Sequence, residues 1–262
     1  MFFLKNFMLL LTRFINSLKT LYQNVCWTIN WWLYARGIND VYEQRSFIEK
    51  SCMNSLEFCI SWDEERIQSM LNSSTEDKYS HISLHLPQFL EPQQIAHLDY
   101  FKTMKNLHNI SAFVLHRNHY KQDYLDLLVG GLGADLVIEN LDGTFDNSKK
   151  IKHLIYLKEN TPCGFILDVQ HAYENDPSMN YGHELFDLIK DRLSHLHVSG
   201  ETDDLNHALL YKAKNKDRLS SFLYDILSLK NVPMIVEGKY VSFEELKEET
   251  RFIESIFREK LF

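Results

Sequence analysis

A chain of 262 residues, 45% of them hydrophobic, can bury a sizeable core as one large domain or two small ones. Its formal net charge of −8 argues against a general nucleic-acid binder, which would carry a basic surface. The four cysteines, Cys26, Cys52, Cys59 and Cys163, show no C-x-x-C pairing, as in a reduced, cytoplasmic protein with buried thiols.

The first 22 residues stand apart. Leu4, Phe7, Met8, Leu11, Leu18 and Leu21 recur at helical spacing, and Lys5, Arg13 and Lys19 are the only charges. A transmembrane span needs roughly 20 apolar residues without such interruptions. A secretory signal needs small residues at its cleavage site, and Leu21-Tyr22-Gln23-Asn24 offers none. Residues 1–22 therefore read as an amphipathic helical extension. Either it packs on the body of the protein, or it lies peripherally on a membrane or a partner.

From residue 23 to 262, strand and helix patterns alternate. Val25 to about Trp31 reads as a first strand, Asn39 to Cys52 as a helix, and Ser55 to Ile60 as a second strand. A helix over Asp63–Leu71 leads to a third strand, His81–Leu86, stopped by Pro87. Pro92–Leu107 is helical, then Ala112–Leu115 forms a fourth strand ending at His116. Tyr120–Gly130 is helical, and Asp135–Ile138 forms a fifth strand ending at Glu139. Asn147–Glu159 is helical, and Phe165–Leu167 forms a sixth strand ending at Asp168. His183–Arg192 is helical, and Leu193–Val198 is the seventh strand. Asp217–Leu229 is helical, Pro233–Val236 is an eighth strand ending at Glu237, and Ser242 caps a last helix to Phe257. Strand starts recur every 23 to 40 residues or roughly so, the size of βα units. Eight of them in one α/β domain predict a (β/α)8 TIM barrel. Gly130-Gly131-Leu132-Gly133 follows a helix and precedes a strand, so it reads as a helix stop rather than a phosphate cradle.

Active sites of such barrels lie at the C-terminal ends of the strands. Those ends carry His85, His116, Glu139, Asp168 with His171, His197 and Glu237, and His207 follows shortly after the seventh strand. Imidazoles mixed with carboxylates suit zinc, manganese or iron, and this set exceeds what one ion needs. Each residue alone reads equally well as a cap or a hydrogen-bonded rim residue. Their convergence on one rim predicts a site for two or three divalent ions. His81 and His195 share strand parity with His85 and His197 but sit one layer deeper, where they would orient ligands. His97, His108, His119, His153 and His183 fall in loops or helices and are expected to be solvated. Arg117, Lys239 and Tyr240 adjoin strand ends, where they would contact an anionic substrate or serve as rim salt bridges and packing.

These residues resemble the xylose isomerase-like TIM-barrel superfamily, which includes endonuclease IV and several sugar epimerases. Val137-Ile138-Glu139-Asn140 is similar to the endonuclease IV strand whose glutamate bridges metals. Asp168-Val169-Gln170-His171 repeats its Asp-x-x-His spacing, with Ala172 following as in that family. His85, His116, His197 and Glu237 fall where it supplies further ligands, and the resemblance spans about residues 55 to 240. One departure is clear. That family follows its seventh strand with Asp-x-His, whereas here the acids of Asp203-Asp204-Leu205-Asn206-His207 stand three or four residues before the histidine.

The resemblance implies three enzymatic readings. The first is multinuclear hydrolysis of a phosphoester, with Glu139, Glu237 and His171 as catalytic groups and nucleic acid a disfavoured substrate. The second is a sugar isomerase or epimerase using one metal held by Glu139, Asp168, His197 and Glu237. The third is a multinuclear iron-dependent oxidase, whose seventh strand His195-Leu196-His197-Val198-Ser199-Gly200 resembles.

Overall fold

The computed structural model describes residues 25–29, 55–59, 80–86, 98–116, 122–140, 147–240 and 242–258. Among these are ten strands: β1 (Val25–Ile29), β2 (Ser55–Cys59), β3 (His81–His85), β4 (Ala112–His116), β5 (Leu136–Glu139), β6 (Gly164–Asp168), β7 (Leu193–Val198), β8 (Gly200–Glu201), β9 (Asn206–Ala208) and β10 (Met234–Val236). Eight of them are parallel and close into a barrel in the order β1-β2-β3-β4-β5-β6-β7-β10. The described helices are α1 (Leu98–His108), α2 (Gln122–Leu132), α3 (Asn147–Asn160), α4 (Val169–Asn175), α5 (Asn180–Ile189), α6 (Lys216–Leu229) and α7 (Phe243–Arg258). The expected (β/α)8 barrel is thus the observed fold. The amphipathic extension over residues 1–22, the helices expected over 39–52 and 63–71, and Arg117, His97 and His119 lie outside the described residues.

The strands are short apolar runs because both of their faces are covered. Their side chains alternate between two destinations. Phe113, Leu115, Leu136, Ile138, Phe165, Leu167, Leu196 and Val198 join the main core, together with residues of the surrounding helices. Ala112, Val114, Val137 and Ile166 form a separate cluster, the apolar half of the barrel interior. The other half is polar. Ser55, Glu57, Ser83, His195 and His197 are all buried without exposure, and Glu57 stands in register with Ser83 on the neighbouring strand.

Local punctuation follows the sequence in several places. Gly133 adopts a left-handed φ of 59°, ending α2 ahead of a short 3-10 turn, as expected of a helix stop. Ser242 Oγ accepts the Glu245 backbone N–H at 3.3 Å, capping α7. Two features were not anticipated: α4, which begins directly after β6, and the antiparallel β8–β9 pair after β7. His108 is another correction. It is 5% exposed at the end of α1, not solvated, because it sits where the helix turns into the barrel wall. His183, by contrast, is exposed beside Asp225.

Glu249 of α7 ties the loop beyond β9 to the body of the barrel. Its buried carboxylate accepts the backbone N–H groups of Leu210 at 2.7 Å and Tyr211 at 2.9 Å. Burial pushes its carboxyl up to about 7, against the pull of those two amides. A carboxyl raised in the folded state stabilises the fold fully below its unfolded value and loses that contribution as pH rises through the folded value. Stability of the protein is therefore expected to fall between about pH 4.5 and pH 7 by a component that Glu249→Gln removes. Urea unfolding of both proteins across this range measures the difference.

Candidate metal centre

Strands β5, β6, β7 and the end of β10 deliver Glu139, Asp168, His197 and Glu237 to one point. Each offers a ligand atom, and the four atoms lie within 4.8 Å of one another. His197 Nδ1 is 3.1 Å from Glu237 Oε1 and 3.4 Å from Glu139 Oε1. The strand register brings Asp168 beside His197 and His116 beside Glu139. Asp168 serves two purposes at once. Its Oδ1 accepts the His171 backbone N–H at 2.7 Å and so caps α4, which leaves Oδ2 for the centre. Asn140 fixes the Asp168 backbone on both sides, accepting its N–H at 2.6 Å and donating to its carbonyl at 3.1 Å.

A second donor group, His85, His116 and Glu139, shares its carboxylate with the first. Glu139 Oε2 lies 3.2 Å from His116 Nε2 and 3.5 Å from His85 Nε2. His171 Nδ1 donates to the Asn140 carbonyl at 3.0 Å, which leaves its other nitrogen as the free lone pair. Its ring meets those of His116 and His207 edge-on, each at a centroid distance of 5.4 Å. His207 hydrogen-bonds Ser199 Oγ through Nδ1 at 3.0 Å and stands 3.6 Å from Glu237 Oε2. Its φ of 55° is left-handed, a conformation in which histidine is enriched but uncommon.

The electrostatics call for a cation. Glu139 Oε1 and Oε2, Asp168 Oδ2 and His197 Nδ1 are buried and make no hydrogen bond among the described residues. Burial pushes Glu237 well above the usual carboxylate range, and the Glu139 and Asp168 charges add to it against the pull of His197. Burial would raise Glu139 as well, but His116 and His197 hold it well below that range. His197 would be lowered by burial, yet Glu237, Glu57 and Glu139 hold it well above the ordinary imidazole value. Both shifts favour a proton on His197 and on Glu237. A divalent cation would displace both, and the mixed oxygen and nitrogen donors suit zinc, manganese or iron.

No protein-family model and no curated protein matches the sequence. Solved structures match its shape. The 3-keto-D-glucoside 4-epimerase of E. coli aligns over 90% of this chain and 99% of its own, with a TM-score of 0.65 at 9% identity. A sugar phosphate isomerase/epimerase of Parabacteroides distasonis aligns over 89% and 94%, with a TM-score of 0.54 at 15% identity. A xylose isomerase domain protein of Alicyclobacillus acidocaldarius aligns over 88% and 99%, with a TM-score of 0.55 at 11% identity. The fold shared with these structures is the TIM barrel.

In this barrel, the residues singled out from the strand ends do meet at one mouth. Glu139, Asp168, His197 and Glu237 form the four-donor group, His85 and His116 complete a three-donor group with Glu139, and Glu57 forms two more, one with His195 and His197 and one with His85 and Glu237. His171 and His207 sit beside them, but no group of three donors among the described residues includes either. The acids ahead of His207 point elsewhere. Asp203 and Asp204 are exposed, and Asp203 pairs with Lys214 at 3.3 Å. Tyr240 is buried in the main core, and Lys239 is half-buried with its backbone N–H on the His207 carbonyl at 2.9 Å. Glu57 was missed. It lies in the middle of β2, away from the strand ends, but a lone carboxylate inside a two-sided buried strand was a signal available in the sequence.

Zinc or manganese added to metal-stripped protein is expected to raise its melting temperature. At a free concentration of 100 Kd the stabilisation is about 2.7 kcal/mol. Asp168→Asn keeps a side-chain oxygen to cap α4 but removes the charge, so it should fold and lose most of this shift. Thermal denaturation with elemental analysis of both proteins checks this.

Proposed function

We propose that this protein is a metal-dependent isomerase or epimerase of a sugar-like small molecule, moving a proton on a carbon next to a carbonyl. The observation that carries this reading is the four-donor group Glu139, Asp168, His197 and Glu237, set in a fold shared with sugar isomerases and epimerases. Its residues would hold one divalent ion, which when bound polarises the carbonyl and hydroxyl oxygens of a substrate.

The rest of the chemistry belongs to side chains. Proton transfer at carbon needs a base whose proton affinity lies near the working pH. Glu237 is the candidate, since burial and neighbouring carboxylates favour its proton-bearing form, while its side chain stays 12% exposed. Glu139 is held ionised by His116 and His197, so the two carboxylates differ in proton affinity and can act as a base and acid pair. His171 and His207, their rings edge-on to one another beside the donor group, are candidates to bind substrate hydroxyl groups. Lys239 is a candidate for a further substrate contact. The net charge of −8 favours a small molecule over a nucleic acid.

One observation favours a second reading. The His85–His116–Glu139 group offers a place for another ion beside the first, and paired ions suit phosphoester hydrolysis.

Incubation with a panel of aldoses, ketoses and keto-glycosides in deuterated buffer separates the two. The first reading expects deuterium incorporated at a single carbon, slowed about 10²- to 10⁴-fold by Glu237→Gln. Cleavage of an activated phosphodiester with no deuterium uptake from any sugar would replace the first reading by the second.

A further inference from the structure

Glu57 has no part in the proposed reaction, yet side chains from two other strands converge on its carboxylate. It occupies the middle of β2, fully buried, where its carboxylate also lies within 4.8 Å of donor atoms of His195 and His197 and of His85 and Glu237. Ser83 Oγ donates to its Oε2 at 2.7 Å, and His195 Nε2 reaches the same oxygen at 3.2 Å. The other oxygen, Oε1, faces His197 Nε2 at 3.3 Å. That contact lies off the hydrogen-bond line, so neither of its two atoms makes a full hydrogen bond. His195 is itself tied through Nδ1 to Ser194 Oγ at 3.0 Å.

His197 is therefore flanked by carboxylates at both ends. Its Nε2 faces Glu57, and its Nδ1 faces Glu237 and Glu139 in the donor group. A neutral imidazole has one N–H and one lone pair, and the partner of one nitrogen decides the state of the other. An anion beside Nε2 keeps the proton there and leaves the lone pair on Nδ1, aimed at the donor group. Ser83 and His195 hold the carboxylate by its other oxygen, so it cannot swing away.

We propose that Glu57 is a positioning residue of the metal centre, fixing His197 as its Nε2–H tautomer and thereby setting the affinity for the ion. The inference rests on the metal centre of the proposed function but not on the reaction assigned to it. Carboxylates behind ligating histidines act this way in other proteins, and their loss weakens metal binding about 10- to 100-fold.

Zinc affinity and stoichiometry of the full chain, measured by competition with a chromogenic chelator, test this without any substrate. Glu57→Gln keeps the shape and removes the charge. It is expected to bind zinc about 10- to 100-fold more weakly with the number of ions per chain unchanged. An unchanged affinity would overturn the proposal, and so would the loss of one ion with the others unaffected, which would make Glu57 a ligand. A second measurement needs no variant at that position. In zinc-loaded wild-type protein, nitrogen NMR of the histidine rings should show His197 protonated on Nε2, its signal assigned by its absence from His197→Gln. A proton on Nδ1 would overturn the proposal even if Glu57→Gln failed to fold. Absence of sugar turnover would leave both results standing and count only against the reaction.

Discussion

Closing eight parallel strands into a barrel leaves their inward side chains no route to water except at the two mouths. Everything placed on those inner faces must be apolar or must find a partner across the interior. The barrel does both, on opposite sides. Ala112, Val114, Val137 and Ile166 fill one half with hydrocarbon, and Glu57, Ser83, His195 and His197 fill the other with a connected polar set. An isolated buried carboxylate costs far more than a packed interior returns, so each acid here is surrounded by imidazoles or backbone amides.

The charge arithmetic then shapes the mouth. Glu139 and Glu237 both approach His197, and only one of the two can comfortably be an anion. Burial drives Glu237 toward its protonated form while His116 and His197 keep Glu139 ionised. A pair of carboxylates with separated proton affinities is what proton-transfer chemistry requires, and the same crowding favours a divalent cation. Under the proposed function, metal affinity and acid–base capacity share one cause.

Precision at the mouth comes from residues that serve structure and site together. Asp168 caps α4 with one oxygen and keeps the other free, so the helix start and the donor position are fixed by the same side chain. Gly238 lets the chain after β10 run against the end of β9, where a Cβ would come within 2.7 Å of the Leu209 Cα. That approach brings Glu237 and His207 side by side, with the Lys239 N–H bonded to the His207 carbonyl. Glu249 anchors the following turn from behind. The contacts are covalently distant but mechanically short.

By itself, the amino-acid sequence determined the alternation of strand and helix, the eight-fold repeat and the strand-end donors, because apolar runs and their terminal residues are local features. Glu139, Asp168 and His197 could be singled out from the end of a strand alone, and Ser242 and Gly133 from the chemistry of caps. Tertiary structure alone decided the rest. Which donors share an ion depends on strand order and register, so it fell to the folded barrel to join Glu139 with both groups and to turn Asp203 and Asp204 away into solvent. Glu57 became visible in the same way: its partners Ser83, His195 and His197 lie on other strands, His195 being 138 residues away. No local pattern encodes a contact of that range, because it exists only when the barrel closes.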